Sequence, residues 1–104
     1  MKRYALLVEA DFHAARKLLP GNVRQRVKQV VEHLAHSPRP ADSRPLDVTG
    51  LVIPPGVELR RLRVERWRIV YAVSDEEHWV WLLAIHKRPP YDYEDLERLV
   101  VRLG

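Results

Sequence analysis

Residues 59–71 read LRRLRVERWRIVY, the pattern of two short β-strands joined by a tight turn, and they carry five arginines. A sheet would not bear such a density of fixed positive charge unless an anionic ligand bound it. The planar arginine fork binds phosphate oxygens through paired hydrogen bonds and stays charged at any physiological pH. The stretch therefore predicts a phosphate-binding surface and favours nucleic acid as the ligand.

The surrounding chain has 104 residues and a net charge of +4, which fits one domain, residues 1–104, with one core. It has no cysteine, so a disulfide, a thiolate nucleophile and cysteine-ligated zinc are excluded. None of the five histidines forms an HxxxH or HxH pair, and we expect no metal or cofactor. The apolar run after the N-terminus stops at Glu9, which predicts a cytoplasmic protein without signal peptide or membrane span.

Charge is unevenly distributed along the chain. The basic stretch contrasts with an acidic cluster near the C-terminus, and a local basic field of this kind is typical of proteins that bind polyanions. Biased base composition or a heat-adapted surface would also explain the arginines, and composition alone does not separate these explanations. The acidic cluster consists of Asp92, Glu94, Asp95 and Glu97.

Apolar periodicity predicts the elements before the arginine stretch. Alternation over Tyr4–Val8 indicates a strand buried on both sides, and Asp11 is positioned to cap a short helix that ends before Pro20. A longer helix follows, and we expect the two helices to form an antiparallel hairpin. The apolar stripe of the longer helix is Val23, Val27, Val30, Val31 and Leu34.

Residues 37–57 contain five prolines and are expected to be a loop that is pinned to the core or forms a short edge strand. Three strands follow as a meander, at Glu58–Val64, Trp67–Ser74 and His78–Lys87, and a short helix after Pro89-Pro90 closes the chain. The predicted fold class is α+β, with an N-terminal strand, a helical hairpin, an antiparallel three-strand meander completing a four-stranded sheet, and a short C-terminal helix.

This order resembles the RelE/ParE toxin superfamily of bacterial type II toxin–antitoxin systems, and the resemblance covers nearly the whole chain. The segments that carry it are Leu19-Pro20, Ser37-Pro38-Arg39-Pro40, Leu62-Arg63-Val64 running into Trp67-Arg68-Ile69-Val70-Tyr71, and Ile85-His86-Lys87-Arg88 followed by Tyr91 and Tyr93.

The resemblance implies one of two activities. RelE-like members cleave messenger RNA in the ribosomal decoding site, whereas ParE-like members bind DNA gyrase and do not cleave RNA; a degenerate toxin that only binds its antitoxin is a third possibility. Implied partners are an acidic, partly disordered antitoxin, the ribosome and messenger RNA, with DNA bound only through the antitoxin complex. We favour the nuclease, whose site residues would be Arg61, Arg63, Arg68, Arg88 and Tyr91 or Tyr93, where RelE proper has lysine at some of the arginine positions.

Cleavage by attack of a ribose 2′-hydroxyl on the adjacent phosphate needs a proton acceptor, and arginine cannot be one at neutral pH. His86 is the nearest alternative, because histidine exchanges protons near pH 7. The remaining basic residues of the strands, Arg60, Arg66 and Lys87, are assigned to RNA binding.

Strand alternation places Arg61 with Arg63 on one face, and His86 with Arg88. Local sequence does not fix the register that would bring the two pairs together. Two alternatives stay open: the first pair could lie on a solvated face, paired with Glu58 and Glu65, and His86 could be a structural histidine.

Overall fold

The computed structural model describes residues 3–87 and 93–103, and this part of the chain has the predicted α+β class. None of its helices is long and apolar enough to cross a membrane. The elements in chain order are β1 (Ala5–Val8), α1 (Ala10–Lys17), α2 (Gly21–Leu34), β2 (Ser43–Pro45), β3 (Val57–Val64), β4 (Trp67–Ser74), β5 (Trp79–His86) and α3 (Tyr93–Val101).

The described strands form one five-stranded sheet in the order β1-β5-β4-β3-β2, and not the four-stranded sheet predicted. The additional strand, β2, lies in the proline-rich segment and pairs antiparallel with residues 60–62 of β3. Pro45 is tolerated there because β2 lies at the edge of the sheet, where a missing backbone donor need not break a ladder. Both alternatives for residues 37–57 are thereby confirmed in part: Ser43–Pro45 forms a short edge strand, and the segment after it is pinned to the core by Leu46, Val48, Leu51 and Ile53.

Strand β1 forms the opposite edge and pairs in parallel with β5. The prediction that it is buried on both sides is wrong, since Leu7 is 39% exposed and Val8 is 41% exposed. With only one neighbouring strand, β1 lacks the cover that a central strand receives. The apolar alternation of β1 therefore belongs to an edge strand that is only partly covered.

The sheet packs on both faces. Helices α1 and α2 cover one side, which we call the helix face, and their Phe12, Val27 and Leu34 pack there with Ile69 of β4. The other side, which we call the loop face, is covered in part by the β2–β3 connection and by α3, whose Val100 packs with Leu59, Val70, Ala72 and Leu83.

The predicted cap of α1 is wrong. The residue preceding the helix is Glu9, without a side-chain capping bond, and Asp11 lies inside the first turn. Instead, the carboxylates of Glu9 and Asp11 bind the guanidinium of Arg102 at 3.1 Å and 2.8 Å. These charges connect α1 to the chain just beyond α3.

At the end of the sheet that holds the β4–β5 turn, positive charge is neutralised. Arg39 binds Glu58 at 2.9 Å and Asp75 at 3.1 Å, and the Tyr4 hydroxyl donates to Asp75 at 2.7 Å. Hydrogen bonds from Arg39 and Tyr4 hold the pKa of Asp75 below its ordinary value. The carboxylates of Glu58 and Asp75 near this end therefore have a cationic partner in Arg39.

Candidate nucleic-acid interface

Three predicted site residues form a row across the sheet near the β3–β4 turn. Arg68 of β4 lies directly opposite Arg63 of β3 on one side and His86 of β5 on the other. Side chains at directly opposed positions have Cβ atoms roughly 4.5–5.5 Å apart. Arg61 lies two residues from Arg63 and so on the same face, which the alternation of β3 with the buried Leu62 identifies as the loop face. We call these four residues the arginine row.

A β-bulge puts His86 into this row. The β4–β5 register runs regularly from Ser74 opposite Trp79 to Tyr71 opposite Leu82, and then shifts so that Val70 lies opposite Ala84. Had the register not shifted, Ile85 would lie opposite Arg68, and His86 would point to the helix face. Bulges are common beside active sites, where they redirect side chains.

The three arginines of the row lack the neutralisation seen at the other end of the sheet. Among the side chains described within residues 3–87 and 97–103, no carboxylate lies within ion-pair distance of Arg61, Arg63 or Arg68. The Arg63 Nε donates to the backbone oxygen of Glu65, at 3.1 Å. The alternative that Glu58 and Glu65 neutralise this face is therefore wrong for the described part of the chain, because Glu58 binds Arg39 and Arg60 instead.

Arg68 has a buried donor that is not satisfied. Its Nε is shielded from solvent and has no hydrogen-bond partner in the described part of the molecule. A buried donor left without a partner costs about 1–3 kcal/mol, and like charges at opposed strand positions add to that cost. An anion bound over Arg63 and Arg68 would offset the repulsion between the two guanidinium groups.

Arg60, predicted to bind RNA, lies on the helix face and is only 8% exposed. Its Nε donates to the Ser43 hydroxyl at 2.7 Å, and its guanidinium contacts Glu58 at 3.2 Å. The Ser43 hydroxyl meets that of Tyr71 at 2.7 Å, and Tyr71 donates to the backbone oxygen of Pro38 at 2.7 Å. Burial raises the pKa of Tyr71. The Arg60 side chain is therefore held by hydrogen bonds within the protein, because β2 places Ser43 next to it.

Replacing Arg60 by methionine is expected to lower the free energy of unfolding by about 1–3 kcal/mol, since Ser43 and Glu58 lose a buried partner. RNA binding by the folded protein should not change. Urea unfolding and an RNA titration would measure the two effects, with R66M, at the exposed turn, as the stability control that should change by under about 0.5 kcal/mol. Normal stability with weakened RNA binding would instead return Arg60 to the RNA surface.

Two predicted RNA-binding residues, Arg66 and Lys87, lie apart from the row. Arg66 is exposed in the β3–β4 turn, and Lys87 projects toward the helix face, where its Nζ lies 5.9 Å from the centroid of the Trp67 ring. Tyr93 is the first residue of α3, whereas Arg88 and Tyr91 lie outside the described residues. No group of histidine and acidic side chains in the described ranges could hold a metal ion.

Sequence reasoning missed three features of this region: the bulge at Leu83, the internal chain of hydroxyls at Arg60, and the contact between Lys87 and Trp67. For the contact between Lys87 and Trp67, the only signal in the sequence was that a basic residue ends one predicted strand and an aromatic residue begins the neighbouring strand. The bulge has no local sequence mark, since Leu83 sits within an unbroken apolar run.

No protein-family model and no curated protein matches the chain. Several solved structures match it. RelE in the archaeal RelE–RelB complex from Pyrococcus horikoshii superposes with a TM-score of 0.72 at 22% identity, over 86% of this chain and 99% of that one.

Two bacterial toxin–antitoxin complexes also match. The intact Escherichia coli RelBE complex gives a TM-score of 0.59 at 25% identity, over 84% of this chain and 99% of the matched chain. The RelBE2 complex of Mycobacterium tuberculosis gives 0.64 at 20% identity, over 83% and 99%. The β-meander and the helical hairpin of this chain are thus part of a known architecture, and the chain has the fold of the RelE/ParE toxin superfamily.

Proposed function

We propose that this protein is the toxin of a type II toxin–antitoxin system and that it cleaves messenger RNA on the ribosome. The observation that carries the proposal is the arginine row, in which Arg63, Arg68 and His86 are cross-strand neighbours and Arg61 flanks them. A concentration of cations without bound carboxylates suits a phosphate that gains charge during reaction. The fold shared with RelE toxins supports the same reading.

In the proposed reaction, the ribose 2′-oxygen attacks the adjacent phosphorus and the bond from phosphorus to the 5′-oxygen breaks. The products are a 2′,3′-cyclic phosphate and a 5′-hydroxyl end. Arg61, Arg63 and Arg68 contact the non-bridging oxygens, where they stabilise the extra negative charge of the transition state. His86 accepts the proton of the 2′-hydroxyl.

The leaving 5′-oxygen takes a proton from water, and the protonated His86 then returns its proton to solvent. Arg88 and Tyr91 or Tyr93 keep the roles that the family resemblance implies, namely a phosphate contact for Arg88 and orientation of the base or the 2′-hydroxyl for the tyrosine. Since RNA alone carries the attacking 2′-hydroxyl, the chemistry restricts the substrate to RNA.

We further propose an acidic, partly disordered antitoxin as the partner that holds the toxin inactive. The edge strand β1 has a free side, and a groove of about 430 Å³ lies between it and α2. The groove has an apolar lining with basic side chains around it, which suits an extended peptide with alternating apolar and acidic residues. Its lining includes the cations Arg16, Arg24 and Lys28, the apolar residues Leu6, Val8 and Val31, and one carboxylate, that of Glu32. The RelE proteins of the matched complexes are bound to RelB.

Controlled expression followed by primer extension on cellular transcripts tests the activity. We expect cuts phased to codons, a fall in protein synthesis, and rescue of growth by the product of the gene adjacent to this one. Intact transcripts together with blocked supercoiling by gyrase would replace the nuclease with the ParE-like alternative. Intact transcripts, normal supercoiling and a stable complex with the neighbouring gene product would identify a degenerate toxin.

A further inference from the structure

A second basic surface lies at the same end of the sheet as the arginine row but on the helix face. It is an open pocket of about 320 Å³ between the β3–β4 turn and the beginning of α2. Its functional side chains are Trp67, Arg66 and Lys87, with Glu65 as the acidic residue of the lining. Small-ligand sites commonly begin at roughly 300 Å³, so the pocket has room for one planar ring.

The side chains of this pocket combine an aromatic surface with mobile positive charge. Trp67 is half-buried and packs at the margin of the core, which fixes the position of its ring, and the Lys87 ammonium lies 5.9 Å from the ring centroid. Arg66 is exposed and, within the described residues, forms no ion pair. Sites that bind single-stranded nucleic acid combine aromatic rings for the bases with cations for the backbone.

The chain connects this pocket directly to the arginine row. Arg66 and Trp67 precede Arg68, and Lys87 follows His86, so neighbouring residues of β4 and β5 point to opposite faces of one sheet end. The bulge that turns His86 to the loop face also turns Lys87 to the helix face. An RNA strand whose phosphate lies on the arginine row can therefore continue around the β3–β4 turn and enter the pocket.

We propose that this pocket binds one unpaired RNA nucleotide, with Trp67 stacked on the base and with Arg66 and Lys87 on the flanking phosphates. The inference rests on the proposed function, for which it defines a binding subsite away from the reacting phosphate. The nucleotide belongs either to the transcript itself or to ribosomal RNA, since both offer unpaired bases beside phosphates. The Glu65 carboxylate repels the phosphates and therefore limits the affinity of the pocket for RNA.

The test uses the full-length protein in a cleavage-inactive R68Q background and a short single-stranded oligoribonucleotide, titrated at several salt concentrations. We expect W67L to weaken binding about 5- to 150-fold, the range measured for loss of a base–aromatic stack. K87A and R66A should each reduce the slope of log K against log salt by about 0.7, because one phosphate contact is lost. E65N should tighten binding, and its asparagine suits the left-handed backbone of residue 65, where φ is 57°.

R3A is the control for loss of one exposed positive charge, because Arg3 is exposed and precedes Tyr4, which binds Asp75 of the β4–β5 turn at the opposite end of the sheet from the pocket. It should change neither affinity nor slope. K87A and E65N alter exposed side chains, so they test the proposal even if W67L does not fold. Equal affinity and equal salt slope in R66A, K87A, E65N and the parent protein would overturn it.

The source of the nucleotide follows from a second titration, with ribosomes that carry or lack message. Weaker binding of K87A to empty ribosomes identifies ribosomal RNA, and weakening seen only on loaded ribosomes identifies the transcript; no weakening on either overturns the subsite. When the pocket substitutions are made in protein that retains Arg68, cleavage should show a raised KM and an unchanged kcat. If the pocket variants cleave with an unaltered KM, the pocket proposal is wrong and the nuclease proposal stands. If RNA binding depends on the pocket but the protein does not cleave, the nuclease proposal is wrong and the pocket proposal stands.

Discussion

Replacing Arg68 by glutamine is expected to slow transcript cleavage about 100- to 1,000-fold, the usual loss when one preorganised donor to a developing anion is removed. Arg68 is the middle residue of the arginine row and lies directly opposite both Arg63 and His86. R68K should recover only part of the rate, because an ammonium keeps the charge but lacks the planar fork. Single-turnover cleavage on ribosomes loaded with message measures the effect.

The same substitution should not destabilise the protein. Arg68 carries a buried donor without a partner and faces another guanidinium, so R68Q is expected to leave the free energy of unfolding unchanged or raise it by up to about 1 kcal/mol. R26Q, an exposed position on α2, is the control for loss of one positive charge and should keep full activity. If R68Q unfolds the protein, or cleaves as fast as the parent, the phosphate role of Arg68 is wrong.

Replacing His86 by alanine is expected to slow cleavage by about 100- to 10,000-fold, the range for loss of a general acid–base group. Position matters here, because His86 lies on the same face as the arginines and next to Arg68. The rate of the parent protein should rise with pH within the interval of about pH 5 to 8, in which histidine changes charge, and H86A should lose that dependence.

H86N separates the proton role from the packing role, since asparagine is of similar bulk near the backbone and does not titrate. It should fold as the parent does and cleave as slowly as H86A. An unchanged rate or an unchanged pH profile in H86N would make His86 a structural residue. The arginines would then act with a proton acceptor from another part of the chain.

Local pattern was sufficient for most elements of this fold. The apolar stripe from Val23 to Leu34 predicted α2, and the alternation on either side of residues 65 and 66 predicted β3 and β4, with β4 correct at both ends. These predictions succeed because helix and strand periodicity depend on near neighbours in the chain. Strand β1 was also predicted correctly, but the prediction that it is buried on both sides failed, because alternation does not say how many neighbouring strands a strand has.

The candidate site could be predicted only in its composition. Sequence pointed to Arg61, Arg63, Arg68 and His86, and strand alternation showed that the first two share a face. Their alignment with His86 depends on the bulge at Leu83, which inverts the faces for the end of β5. Counted from the β4–β5 turn without a bulge, His86 falls on the helix face, so local sequence alone would have separated it from Arg68.

Arg60 and Lys87 show the same division. Composition could not distinguish them from the other basic residues of the meander. In the structure, Arg60 is enclosed by Ser43 and Glu58, whereas Lys87 lies against Trp67 on the opposite face from the arginine row.

The sequence by itself determined the helices, β1, the three strands of the meander, the excess of positive charge and the residue types available for phosphate chemistry, because each depends on local pattern or composition. The tertiary structure decided which cations are neutralised, which are buried, and which meet across strands. Those outcomes depend on pairing between segments far apart in the chain, where a shift of one residue moves every following side chain to the other face of the sheet.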